Sequence, residues 1–179
     1  MSKRHFLPVP ADQAGPGRNR RQSSRQDNVR AAAAWVLDRT LQSLAPADSF
    51  LDSALPRFDD RDQGLLRELV MGSLRWLRRL DNVIAAASSR SFDQIEEVLR
   101  SPLRIATYQL LFLDRVPAHA AVHEAVEQAH QLTHRGGASF ANGVLRAIAR
   151  APHLKEWPVA ETDPARRLGN DLVFGSLAE

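Results

Sequence analysis

The sequence predicts an all-α domain, built as a bundle of six or seven helices. Apolar residues recur at steps of three and four through most of the chain, which places them on one face of a helix. No segment shows the sustained alternation of apolar and polar residues that a half-buried strand needs. Proline, glycine and acidic residues separate the periodic segments, as is typical of helix ends.

The first predicted helix begins after Asp27 or Asn28, because either side chain can accept hydrogen bonds from the first free amides. Its apolar face contains Val29, Ala33, Val36, Leu37, Leu41 and Leu44. A short second helix is expected, with Ser49 near its start and Pro56 close to its end.

One long helix is predicted next. Asp59 and Asp60 favour its start, since carboxylates at a helix N-terminus cap free amides and interact favourably with the helix dipole. Apolar residues then keep helical spacing from Leu65 to Ile84 with no proline between them. Gly72 lies inside this helix, where glycine costs about 1 kcal/mol relative to alanine. We therefore expect another helix to pack closely against it.

Two further helices follow. A short turn at 92–99 leads to one that opens with Ser101 as its N-cap and Pro102 as its first helical residue. The next runs over about 117–132 and stops before the glycine pair at 136–137. The last predicted helix then spans about 138–150.

The chain divides into an arm, a helical domain and a tail. Residues 1–26 combine prolines, glycines and arginines with almost no large apolar side chain, so we expect a disordered basic arm. Residues 1–30 hold seven lysines or arginines against two aspartates, although the whole chain carries a net charge of only +3. The helical domain is expected over 27–151. Residues 152–179 are expected to form an irregular tail, to which the sequence assigns no structure.

Composition excludes several classes of function. The chain has no cysteine, which excludes disulfides, cysteine-ligated metals and a thiolate nucleophile. No apolar run approaches the ~20 residues that a membrane span needs, and the N-terminus lacks the apolar stretch of a signal peptide. We expect a soluble, cytoplasmic protein that needs no cofactor.

Three segments resemble a known family. These are DDRDQGLLRELVMGSLRWLRRLDNVIA at 59–85, YQLLFLDRVPAHAAVHEAVEQ at 108–128 and FANGVLR at 140–146. They are similar to the NusB-like domain that begins bacterial small-subunit rRNA cytosine-5 methyltransferases of the RsmB or Sun type. Free NusB, an antitermination and rRNA-processing factor, shares the fold and has a similar arginine at the Arg30 position. The resemblance covers about 27–151 and is closer to the methyltransferase branch.

The resemblance implies an RNA-binding domain without catalysis of its own. In full-length relatives, the helical domain precedes a linker and a Rossmann-like domain that binds S-adenosylmethionine and uses a cysteine. This chain shows no cysteine and no glycine-rich strand-to-helix loop. We therefore expect no enzymatic activity, whether the chain is a stand-alone relative or a truncated product.

Arginines are the candidate RNA-binding residues, because they neutralise phosphates. The set is Arg18, Arg20, Arg21, Arg25, Arg30 and Arg115. In relatives of NusB, the arginine-rich N-terminal segment takes part in RNA binding, and the first helix should hold Arg30 most rigidly. The alternatives are a solvated arm that binds nothing, and pairing of Arg115 with Asp114 or a helix carboxylate.

Other residues are interpreted as structural or solvated. Arg75, Arg78 and Arg79 extend the basic character around Trp76, which we treat as packing rather than as a base-stacking platform. Asn142 is expected to bond to a neighbouring backbone group, and Gly143 to let a helix approach; RNA contact is the alternative for both. The spacings of His119 with His123 and of His130 with His134 permit a metal site, but solvated histidines are favoured, and no metal is expected.

The primary hypothesis is an RNA-binding module for rRNA or leader RNA, which works with a separate methyltransferase chain or as a homodimer. The alternative is a NusB-type transcription antitermination factor that pairs with a small-subunit ribosomal protein. A protein-interaction domain without RNA affinity, or a gene remnant, is the third hypothesis.

Overall fold

The computed structural model describes residues 28–43, 45–88 and 90–155. These ranges contain seven α-helices and no strand, which confirms the all-α prediction. The helices are α1 Val29–Gln42, α2 Ala47–Ala54, α3 Asp60–Arg75, α4 Leu77–Ala87, α5 Glu97–Phe112, α6 Ala118–Leu132 and α7 Arg135–Ala149. Short 3-10 turns lie at Leu55–Arg57, Phe92–Gln94 and Pro152–Lys155. Among the described residues, no helix has the length and apolar character to cross a membrane.

Helix α5 is the centre of the bundle. It packs against α1, α3, α4, α6 and α7, and eleven of its sixteen residues are buried. A helix that buries side chains around most of its circumference needs apolar residues on more than one face. The run from Leu103 to Leu111 meets this need, with Thr107 and Gln109 as its buried polar members.

Helix α1 begins as the sequence predicts. The Asn28 side chain accepts hydrogen bonds from the amides of Arg30 at 2.9 Å and of Ala31 at 3.4 Å, which caps the first turn. Four members of the predicted apolar face are buried: Val29, Ala33, Val36 and Leu37. Leu41 is 39% exposed, so its assignment to the core was wrong. It lines a cleft beside the polar start of α5, and Leu44 lies outside the described residues.

The single long helix predicted from Asp59 onward is wrong, because the chain forms two helices that meet at Trp76. Asp59 caps α3 as expected, by accepting a hydrogen bond from the Asp62 amide at 2.9 Å. At Trp76, φ is −102° and ψ is 15°, which leaves the helical region and redirects the chain. Helix α3 then packs on α1 and α5, whereas α4 packs on α5 and α7. Tertiary packing therefore overrides a continuous helical pattern.

Gly72 permits the close approach that the sequence predicts. A Cβ at this position would lie 2.1 Å from Cζ of Tyr108, which comes from α5. The Tyr108 ring packs against Phe112 with centroids 5.2 Å apart, and Phe112 stacks on Trp76 at 4.9 Å. The Tyr108 ring thus occupies the space that a side chain at position 72 would fill. It belongs to an aromatic cluster that joins α3, α4 and α5.

Two helix starts differ from the prediction. Helix α5 begins at Glu97, so Ser101 and Pro102 lie inside it and do not open it. Because Pro102 has no backbone N–H, the Val98 carbonyl lacks its usual hydrogen bond within the helix. The burial of α5 on several sides outweighs this loss. Helix α7 begins at Arg135 rather than at 138 and includes both glycines. A Cβ on Gly137 would lie 2.5 Å from Cγ2 of Thr133, so glycine is needed here for close packing rather than for ending a helix.

Candidate nucleic-acid interface

Arg30 is held in a fixed position at one end of the bundle. Its Nε donates a hydrogen bond to Oε1 of Gln109 on α5, at 2.7 Å. Gln109 is itself buried, and its Nε2 donates to the Ile105 carbonyl at 3.1 Å. Because Nε carries only one of the five guanidinium N–H groups, the four on the two Nη atoms remain available. They make no hydrogen bond with the part of the chain that the structure describes.

The start of α1 is also attached to α6. Asn28 Nδ2 donates a hydrogen bond to the Glu124 carboxylate, while its Oδ1 caps α1. One side chain therefore fixes both the first turn of α1 and its position beside α6. The basic segment 1–26 joins the domain just before this point.

Arg115 lies at the same end of α5. The loop 113–117 follows the last turn of α5, where the Leu113 amide bonds to the Gln109 carbonyl at 3.1 Å. Arg115 is exposed and makes no hydrogen bond or ion pair within 28–43, 45–88 and 90–155. The expected alternative of pairing with Asp114 is therefore absent from these ranges. We call Arg30, Gln109, Arg115 and the loop 113–117 the basic end.

A cleft of about 520 Å³ opens beside Arg115. Phe112 and Leu65 contribute apolar surface, and Glu68 contributes a carboxylate. The Tyr108 hydroxyl donates a hydrogen bond to that carboxylate. Burial, followed by this hydrogen bond, raises the pKa of Tyr108 above its usual range. The lining of this cleft thus combines the exposed cation of Arg115 with apolar side chains and with the carboxylates of Glu68 and Asp114.

Four of the six predicted RNA-binding residues lie outside the described residues: Arg18, Arg20, Arg21 and Arg25. Of the basic residues around Trp76, Arg75 and Arg78 are exposed, but Arg79 is buried. Arg79 Nη2 donates to the Leu154 carbonyl at 3.0 Å, and burial lowers the pKa of its guanidinium. Arg79 therefore does not extend the exposed basic character around Trp76. The packing role expected for Trp76 is confirmed by its stacking on Phe112.

The four histidines singled out in the sequence, His119, His123, His130 and His134, separate into two groups. His119 and His123 line a groove between α6 and α7 near the basic end. His130 and His134 lie at the opposite end, where His134 Nδ1 is 3.6 Å from a Glu96 carboxylate oxygen. In the described part of the chain, no group of three or more histidines and carboxylates is arranged to hold a metal ion.

The sequence analysis missed this α6–α7 groove, which has a volume of about 470 Å³. Its lining residues are Ala118, His119, Val122, His123, Val126, Asn142, Arg146, Ala149 and Arg150. The sequence did carry a signal for this groove. Arg146 and Arg150 are four residues apart, as are His119 and His123, and this spacing puts each pair on one helical face.

Two expectations made for α7 were wrong. Asn142 makes no hydrogen bond with the described residues, and a Cβ on Gly143 would meet nothing within 4 Å.

Comparisons with known proteins agree with this architecture. A sequence profile of the NusB family matches residues 26–150. Ribosomal RNA small subunit methyltransferase B from Pseudomonas putida is 37% identical over 123 residues, which cover 69% of this chain and 28% of the relative. The probable ribosomal RNA small subunit methyltransferase B of Bacillus subtilis is 34% identical over 149 residues, covering 82% of this chain and 33% of the relative. This chain therefore spans a third or less of the length of either.

A solved structure shares the fold. The T. maritima NusB structure superposes with a TM-score of 0.63 at 26% sequence identity, covering 69% of this chain and 89% of that one. The helical arrangement described above is thus that of a NusB-type protein.

Proposed function

The chain belongs to the NusB family, and we propose that it is an RNA-binding module for ribosomal or nascent RNA. The observation that carries the proposal is the anchored guanidinium of Arg30, at the point where the basic segment joins the domain. Its four remaining N–H groups suit bidentate contact with phosphate oxygens. Arg115 supplies a second cation at the same end.

We further propose that three segments of the chain have different roles. Residues 1–26 act as a basic arm that contributes Arg18, Arg20, Arg21 and Arg25 to the phosphate contacts, 27–151 is the helical RNA-binding domain, and 152–179 is a tail. The module carries out no chemistry itself, because its 179 residues include no cysteine to attack a cytosine. Any methyl transfer therefore depends on residues other than these 179. Because ribosomal and leader RNA are cytoplasmic molecules, we propose that the chain acts in the cytoplasm.

The test is binding of the purified chain to a labelled small-subunit rRNA hairpin with a single-stranded loop, across a range of salt concentrations. If all six arginines contact phosphates, the slope of log K against log salt is about −4, from about 0.7 per contact. Affinity then falls about 300-fold between about 0.05 and 0.2 M salt. Arg30→Ala should weaken binding and reduce the slope by about 0.7.

Arg39→Ala is the matched control for Arg30→Ala. Arg39 is an exposed arginine of the same helix, near its opposite end. Removing it lowers the net charge by the same amount without touching the basic end. Equal loss of affinity in the two variants, or no binding at low salt, would overturn the proposal.

A second function, transcription antitermination with a small-subunit ribosomal protein, is favoured by an apolar patch on another face. Trp35, Val98 and Leu132 are 48%, 47% and 46% exposed, and they surround a small cavity of about 160 Å³ between α1, α5 and α6. Exposed apolar side chains that cluster mark interaction surfaces. Calorimetric binding to the ribosomal protein, abolished by Trp35→Ser, would support this function. Concentration-dependent dimerisation abolished by the same change would assign the patch to a second copy of the chain.

A further inference from the structure

The α6–α7 groove carries an inference that rests on the proposed function and makes it more specific. We propose that the groove receives one nucleotide from a single-stranded part of the bound RNA, with its phosphate on the arginines and its base on the groove floor. The proposal adds Arg146, Arg150 and Asn142 to the RNA-contacting residues. None of these belongs to the basic end or to segment 1–26.

The charges of the groove complement a phosphate. Arg146 and Arg150 are exposed on one wall, and neither guanidinium has a hydrogen bond or ion pair with the described residues. His119 and His123 lie on the opposite wall, each able to donate a hydrogen bond from a ring nitrogen. The described lining residues include no carboxylate. An anion placed between the walls therefore meets donors on both sides without repulsion.

The floor suits a flat, mainly apolar group. Val122, Val126 and Ala149 line the groove between the polar walls. A volume of about 470 Å³ lies within the usual range of sites for small molecules. A cavity that combines an apolar floor with cationic walls matches a nucleotide, since a nucleotide carries both a planar base and a charged phosphate.

Asn142 supplies a group that can read a base edge. Its side chain is half-buried in the groove and makes no hydrogen bond with the described residues. A carboxamide offers one acceptor and two donors, and a partly desolvated amide gains from a ligand that satisfies them.

The groove adjoins the basic end along the chain. Helix α6 starts directly after the loop that carries Arg115, and the first two residues of α6, Ala118 and His119, line the groove. An RNA strand whose backbone contacts Arg115 can therefore place a following nucleotide in the groove. This proximity to Arg115 favours RNA over an acidic protein segment as the occupant.

The test combines binding with NMR of the histidine rings, using the full chain and the same hairpin RNA. On RNA addition, ring signals of His119 and His123 should shift. Those of His130, in the last turn of α6, and of His134, directly before α7, should stay in place. The double variant Arg146→Ala/Arg150→Ala should bind about tenfold or more weakly and reduce the salt slope by about 1.4. Arg39→Ala/Arg135→Ala, which removes two exposed arginines elsewhere, is its matched control.

Asn142→Asp is a second test of nucleotide binding in the groove. It keeps the side-chain size, but its carboxylate can pair with Arg146 one turn later and repels phosphate, so affinity should fall with the unfolding midpoint unchanged. The inference is overturned if RNA binds tightly, the groove variants keep full affinity and the signals of His119 and His123 do not shift. The proposed function would stand in that case. If the unmodified chain binds no RNA, the proposed function itself is refuted, and the inference falls with it.

Discussion

Gly72→Ala tests the packing that joins α3 to α5. The added methyl carbon would lie 2.1 Å from Cζ and 2.2 Å from the hydroxyl oxygen of Tyr108. Ordinary carbon contacts are about 3.5 to 4.0 Å, so the ring must move by well over 1 Å. Tyr108 is buried and packs against Phe112, and its hydroxyl is bonded to Glu68. The ring therefore cannot move without losing contacts.

The magnitude follows from two opposing effects. Overpacking at this overlap costs about 3 kcal/mol, the upper end of the usual range. The better helix propensity of alanine returns about 1 kcal/mol. We expect Gly72→Ala to lower the free energy of unfolding by about 2 kcal/mol, measured by urea denaturation.

Gly64 provides a control in the same helix. A Cβ at Gly64 would meet nothing within 4 Å, and this residue is exposed. Gly64→Ala should therefore raise the free energy of unfolding by about 0.5 to 1 kcal/mol. Tyr108→Leu removes the ring. In that background, Gly72→Ala should therefore lower the free energy of unfolding much less than it does in the unmodified chain. An unchanged or increased stability of Gly72→Ala in the unmodified chain would refute the reasoning.

Two further predictions concern Tyr108 and Gln109. Burial raises the pKa of Tyr108, so above about pH 10 the unfolded chain loses the phenolic proton while the folded chain keeps it. Stability should therefore fall as pH rises beyond 10, and phenolate absorbance should appear only with unfolding, a clear readout because the chain has one tyrosine. Gln109→Glu should place a carboxylate against Arg30 and weaken RNA binding several-fold, measured in the hairpin assay.

Each of these predictions has a contrary outcome. Phenolate absorbance that rises near pH 10 in the folded protein would show that the hydroxyl is not held in a buried position. Unchanged RNA affinity in Gln109→Glu, with the fold intact by circular dichroism, would show that Arg30 does not contact the phosphates through its free N–H groups.

The sequence predicted most helices because their apolar residues follow the helical period, and their start signals act locally. Asn28 and Asp59 cap the helices that they were expected to cap. The failures share one cause, since each depends on a neighbour distant in sequence. The break at Trp76 arises because α3 and α4 pack on different partners. Pro102 remains inside α5 because the helix around it is buried.

The candidate site was only partly predictable for the same reason. A basic segment and an arginine on the first helix are visible as composition and pattern. The α6–α7 groove requires knowing that α6 and α7 are antiparallel neighbours, which brings His119 and His123 opposite Arg146 and Arg150. Gly143 was misinterpreted because a glycine within a helix pattern does not reveal whether a protein neighbour or open space adjoins it.

The choice of glutamine at 109 links the fold to the proposed function. A buried amide can anchor Arg30 through Nε without neutralising its charge, and the same amide bonds to the Ile105 carbonyl, so both of its polar atoms are satisfied. A carboxylate at 109 would hold the guanidinium more strongly but would compete with phosphate for it. A leucine would fill the space and leave Arg30 free to move, and the arginine would then lose entropy on binding RNA. Glutamine is thus the residue that keeps Arg30 both rigid and fully cationic.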